Sequence, residues 1–163
     1  MAVKFEVQMT KSAMFDFLLY ASYTSLTGIL NVIIGFVTLG VGINKIVQGD
    51  ISSSMIFFMF ATVFLIGNPI NIKVRASEQV LRTPMFQKPL CYELTEEGVL
   101  VSQDDQSASN KWEDFRKVVE TKKSVIMYIT QKRAIIFPKE CLGEQYDAVV
   151  EMISTHMPAK KVK

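Results

Sequence analysis

Two stretches of this chain carry no formal charge: 28 residues between Asp16 and Lys45, and 22 between Asp50 and Lys73. A helix needs about 20 predominantly apolar residues to cross the hydrocarbon core of a bilayer. Both stretches meet that length, so two transmembrane helices are predicted, at about 20–43 and 52–70. A chain of 163 residues could not easily bury both on every face, which argues against a pair of soluble core helices. A cleaved signal segment also fits poorly, because its apolar region spans about 7–15 residues behind a basic start, whereas this run is longer and follows Asp16.

Charge placement sets the expected orientation. The short linker "NKIVQGD" holds only Lys45 and Asp50, while the other flanks carry Lys4 and Lys11 before the first span and Lys73, Arg75, Arg82 and Lys88 after the second. Lys and Arg concentrate on the cytoplasmic side, so a multi-pass protein of the cytoplasmic membrane with both termini cytoplasmic is expected. Lys73, Arg75 and Arg82 leave the membrane on one segment and are candidates for contact with anionic lipid. A net charge of +2 gives no reason to expect nucleic acid. Cys91 and Cys141 would lie in a reducing compartment, where no disulfide is expected, and neither has Cys or His neighbours at ligand spacing for a metal.

Within the first span, Ala21, Thr24, Gly28, Asn31, Gly35, Thr38 and Gly42 alternate spacings of three and four. Every member is small or polar, which lets a second helix approach closely, and Asn31 is expected to donate a hydrogen bond across the contact. Ser54, Ala61 and Asn68 repeat every seven residues in the second span, so the two seams are predicted to pack together. The first seam could instead face a second copy, giving a homo-oligomer.

Outside the spans the chain reads as α+β. "VKFEVQMT" alternates as a half-buried strand, and Thr10 can cap the following "KSAMFDFLLY", whose mixed character suggests the membrane interface. "GNP" at 67–69 is expected to end the second span. From residue 89, "LCYELT", "GVLVSQ", "SASNKWED", "FRKVVET", "SVIMYIT" and "RAIIFP" are six short strands separated by turns, predicting an antiparallel meander. Tyr146, Val149, Val150, Ile153 and Met157 form one apolar stripe of a closing helix. An isolated strand is unstable, so the first strand should join the distant sheet. The expected organisation is therefore a strand at 1–10, a membrane hairpin with interfacial flanks at 11–82, a cytosolic domain at 89–157 and a basic tail at 158–163.

No residues point to a reaction. His156 is the only histidine and sits beside the basic tail, where a surface structural role is expected. The pairs Glu96/Glu97 and Asp104/Asp105 are adjacent in turns, without the fixed separation acid–base catalysis needs. Nucleophile, phosphate-loop and metalloprotease motifs are absent from the sequence. Neither an enzymatic role nor a cofactor is expected. Trp112 and Phe115 are either core residues or an aromatic anchor for a partner peptide or lipid tail. Lys122/Lys123 and Lys132/Arg133 occupy successive turns, hence opposite sheet ends, and should not form one patch.

The order "LTEEGV", a polar turn, "WEDF", "VIMYIT" and "AIIFPK", together with "FEV", "KSAMFDFLLY" and two spans, resembles the YcxB-like family of bacterial membrane proteins. The resemblance implies a cytosolic domain similar to bacterial pleckstrin-homology-like folds, a bent antiparallel sheet closed by a carboxy-terminal helix. It implies no activity. Pleckstrin-homology domains that bind phosphoinositides use basic residues in the first hairpin, and "TEEG" here is acidic, so no ligand residues carry over. The leading expectation is a membrane protein whose cytosolic module binds a partner protein. An immunity-type protein guarding the membrane against a toxin or bacteriocin is the alternative. A channel or transporter subunit ranks below it, because no ionisable residue lies within either span.

Overall fold

The computed structural model describes residues 2–130 and 133–157; Lys132 and the predicted basic tail at 158–163 lie outside the described residues. Two compact units form, one from residues up to Phe17 and from Glu78 onward, the other from Leu18–Ser77.

The first unit holds seven antiparallel strands. Strands β1 (Val3–Val7), β2 (Leu90–Leu94), β3 (Gly98–Gln103) and β4 (Gln106–Lys111) form a sheet in that order. Strands β5 (Lys117–Glu120), β6 (Ser124–Tyr128) and β7 (Ala134–Pro138) form a second. The alternation in "VKFEV" points Phe5 and Val7 inward, and the register sets them opposite Tyr92 and Leu90. A single meander was expected; the structure breaks it between β4 and β5. Asp114 accepts a hydrogen bond from the Lys111 N–H (2.9 Å), fixing a short 3-10 turn at Trp112–Asp114 that ends the strand.

The core lies between the sheets and the closing helix. Phe137 meets Phe5 and Tyr92 edge-on, with ring centroids 5.1 and 5.0 Å away. Helices α5 (Lys139–Leu142) and α6 (Tyr146–His156) follow β7, and α6 buries Val149, Met152 and Ile153. Met152 thus takes the place on the stripe expected of Val150, which is half-buried.

Strand β6 is buried along its whole length, so both its faces are covered. Val125 and Met127 enter the core; Ile126 and Tyr128 alternate to the other face. There the first turns of helix α1 (Lys11–Tyr23) dock: Phe17 packs 6.0 Å from Tyr128, Asp16 accepts from the Thr121 hydroxyl, and Ala13 and Met14 are buried. The apolar residues of "KSAMFDF" thus have a protein surface to bury against, a contact its mixed sequence did not reveal.

The second unit is helical. Helix α1 ends at Tyr23, and α2 (Leu26–Val47) starts after Ser25, whose hydroxyl accepts from the Gly28 N–H (3.1 Å). The first long apolar helix therefore begins at Leu26 rather than near residue 20, since Ser25 is a strong N-cap. After a tight turn capped by Asp50, α3 (Ile51–Thr62) runs through a π-helical segment, Val63–Gly67, into α4 (Asn68–Arg82). The result is one continuous 32-residue helix. "GNP" does not end it. Pro69 lacks an N–H and would clash with the carbonyl four residues earlier, and the wider π turn just before it relieves that conflict. Only 17% of the apolar window of α2 and 11% of that in the second helix is buried, so neither is a core helix of this fold.

Candidate functional site

Three glycines of α2, Gly28, Gly35 and Gly42, are contact points. Gly35 and Gly42 are buried, and a Cβ on Gly35 would lie 2.6 Å from Leu65 Cδ2 and 2.8 Å from Leu65 Cγ. On Gly42 it would lie 3.3 Å from Phe57 Cβ. Each glycine is therefore a hole filled by a large residue of the second helix, and Ser54 and Ala61, also buried, are not the groups facing them. The expected seam is shorter than its spacing suggested. Gly28 is buried against the α1–α2 corner, where a Cβ would fall 1.8 Å from the Ser22 carbonyl oxygen. Ala21 lies in α1 and Thr24 in the break after it, so neither continues the α2 face. Thr38 bonds its own helix through the Ile34 and Gly35 carbonyls, both at 2.9 Å. Half-buried Asn31 makes no hydrogen bond to any described residue, so the cross-helix bond expected of it is not formed.

The cations of α4 do not act as one group. Arg75 and Arg82 share a face at a seven-residue spacing, whereas Lys73, two residues from Arg75, points to another. All three are exposed. Arg82 lies 3.9 Å from Glu78, and Arg75 lines a cavity of about 360 Å³ with Ser22, Asn68 and Asn71.

Trp112 and Phe115 are 7% and 0% exposed, so they are core residues rather than an exposed anchor. Trp112 Nε1 donates to the Thr95 carbonyl (2.9 Å), and its ring stacks on His156 at 4.9 Å and 15°. His156 Nδ1 lies 2.9 Å from the Met152 carbonyl and Nε2 lies 2.9 Å from a Glu96 carboxylate oxygen. The lone histidine is thus wedged into the α6–sheet junction, a role invisible in sequence because its partners are 44 and 60 residues away.

Among the cavities of the β-rich unit, two lie beside α1. One, of about 380 Å³, is mostly apolar, with Met14, Phe86, Tyr92 and Ile135 on its walls. Burial pushes the Tyr92 phenol up to about 12, so it stays neutral at physiological pH. The other, of about 280 Å³, is lined by Ser12, Ala13, Lys122, Lys123, Lys139 and Glu140. Its lysines converge because β6 and β7 pair Ser124 with Pro138, which sets the turn before β6 beside the end of β7. Lys123 Nζ donates to Ser12 Oγ at 2.8 Å. Lys139 Nζ donates to Glu120 at 2.6 Å, and the Tyr146 hydroxyl donates to the same carboxylate oxygen. These bonds hold Glu120 below the usual carboxylate range, the ammonium of Lys139 being the larger cause; Glu120 in turn raises both Lys139 and Tyr146. Glu140 accepts from the Thr10 hydroxyl at 3.1 Å. Sequence reasoning set Lys122/Lys123 at the opposite sheet end from Lys132/Arg133 and overlooked Lys139; counting strand directions through the meander would have found it.

Residues 94–153 match the family model described as YcxB-like protein. The YcxB-like segment runs from the end of β2 through most of α6 and so includes Trp112, Glu120 and three lysines of the smaller cavity. Helices α1 to α4 and strand β1 lie outside it. No curated protein and no solved structure matches the chain. Among the described residues, no group of three or more His, Cys, Asp or Glu is placed to hold a metal ion, and Cys91 and Cys141 are free thiols.

Proposed function

We propose that the protein is a non-enzymatic, two-span protein of the cytoplasmic membrane whose YcxB-like unit engages a partner protein on the cytoplasmic side. The membrane reading is carried by the apolar surface of the helical unit. Nearly every exposed large hydrophobic side chain of the chain lies between Leu26 and Val74, including Phe36, Ile43, Met55 and Phe60. Water would penalise such a surface and lipid would not. Four- and three-stranded sheets closed by α6 support a pleckstrin-homology-like architecture for the other unit.

Strand β4 supports the partner reading. It is the outer strand of its sheet, and all of its residues but Asn110 are exposed. "QSASNK" contains no proline and its single charge, Lys111, stands at its last residue, so the rest of this edge lacks the usual devices against strand addition. An extended peptide can pair there. A photo-crosslinking residue at Ser109 of the full chain in native membranes should capture one defined protein, and Ser107→Lys should abolish the product. Absence of a defined product, or indifference to Ser107→Lys, refutes the edge as the partner surface. Extraction of the chain by alkaline carbonate would refute the membrane anchor separately.

A further inference from the structure

The cavity beside α1 carries more ammonium than carboxylate charge. Three ammonium groups, Lys122, Lys123 and Lys139, border about 280 Å³ together with one carboxylate, Glu140, and that carboxylate is turned to the Thr10 hydroxyl. Lys139 is matched by Glu120, and Lys123 meets only the neutral Ser12 hydroxyl. Lys122 has no hydrogen bond or ion pair to a described residue. Lys122 and Lys123, adjacent in one turn and without a carboxylate partner among the described residues, repel each other, an arrangement that is relieved when a multiply charged anion enters. Ser12 adds a donor: its hydroxyl oxygen accepts from Lys123, which leaves its own proton free to give. The volume is just under the about 300–1,000 Å³ of sites for drug-sized ligands and suits a compact head rather than an extended chain.

We propose that this cavity binds a phosphate group, held by Lys122, Lys123 and the Ser12 hydroxyl with Lys139 as the third cation, and that a lipid headgroup supplies it. Lysine ammonium groups bind phosphate as point charges and need no planar fork, which fits a site without arginine. The lipid source rests on the membrane reading above. The phosphate chemistry does not depend on that reading.

The full chain in neutral maltoside micelles should be titrated calorimetrically with dihexanoyl phosphatidic acid and, separately, with inorganic phosphate. Both should bind, the lipid more tightly, and Lys122→Ala/Lys123→Ala should weaken both by about 25-fold, at roughly fivefold per cation removed. Lys122→Arg/Lys123→Arg should retain binding. Lys4→Ala/Lys111→Ala, which removes the same charge from exposed strand positions outside the cavity, should leave it unchanged. Inorganic phosphate binding as tightly as the lipid would overturn the lipid source. Failure of both ligands to bind, or equal losses in the two alanine pairs, would overturn the site. The phosphate titration is independent of membrane insertion, so its failure is distinct from release of the chain by carbonate.

Discussion

Replacing Gly35 by alanine tests whether the α2 glycines are holes for the second helix. The added carbon would sit 2.6 Å from Leu65 Cδ2 and 2.8 Å from Leu65 Cγ, against an optimum of about 3.5–4.0 Å for two carbons. Rotating Leu65 moves Cδ2 but leaves Cγ near its place, so the helices must part or the side chain must leave its rotamer. Overpacking of this kind costs about 1–3 kcal/mol. Alanine also gains about 0.8–1 kcal/mol of helix propensity over glycine, so the raw effect of one variant would mislead. Gly40 provides the reference, because nothing lies within 4 Å of its ideal Cβ and Gly40→Ala takes the same gain without the clash. The difference between the two variants should therefore be about 1–3 kcal/mol, or roughly 5- to 150-fold in the unfolding constant. Gly42→Ala should fall between them, its nearest neighbour being 3.3 Å away. Gly35→Leu should be more disruptive than all three. Equilibrium unfolding of the full chain in micelles, followed by helical circular dichroism, measures the series. If Gly35→Ala unfolds together with Gly40→Ala, the glycine is not a packing contact and the reasoning fails.

Other consequences are as direct. The Glu120 carboxyl is held below its usual range, so its contribution to stability is present above about pH 4.3 and is lost as pH falls through the folded-state value. Wild type should therefore lose stability between about pH 5 and 3 more steeply than Glu120→Gln, and parallel acid profiles for the two would contradict this. Ser124 Oγ is fully buried with no hydrogen-bond partner among the described residues, so Ser124→Ala should stabilise the fold by about 1–3 kcal/mol; a loss in denaturant midpoint would mean the hydroxyl is satisfied. His156→Ala removes the ring stacked on Trp112 and should cost about 1–2 kcal/mol while shifting tryptophan emission to the red; unchanged emission would show that the stack does not shield the indole. Asn31 makes no hydrogen bond to a described residue and lies in the apolar middle of α2, so pairing of two first spans should depend on it: Asn31→Leu should lower crosslinked dimer in native membranes, and an unaltered yield would exclude Asn31 from any such contact.

How much of this was legible varies by kind of signal. The apolar helices were readable because exclusion of charge over 22 residues is a property of composition and needs no partner. The strands were readable because "VKFEV" and its counterparts alternate at the period of a pleat. The break at Thr24–Ser25 was hidden, because Ser and Thr in an uncharged run look tolerable until the Ser25 hydroxyl is seen to cap Gly28. "GNP" read as the end of the second span with a helical segment after it; that the two form one helix was hidden, since the π turn leaves no mark in sequence. The split into two sheets hinges on one Asp114–Lys111 bond, and the lysine cavity on the register of β6 against β7. Both are outcomes of pairing rather than of local preference.

The pairing of β1 with β2 has a consequence for how the molecule is made. The two strands are joined through 82 intervening residues, Gln8 to Pro89, which include both long apolar helices. At about 5–20 residues per second, β1 waits roughly 4–16 s after synthesis before its partner exists. During that time Phe5 and Val7 have no sheet to enter. Closure of so long a loop adds only slowly to the entropic cost, but it cannot begin until the second helix is complete. The first strand synthesised is therefore committed late, and the sheet records that the whole helical segment was finished before it.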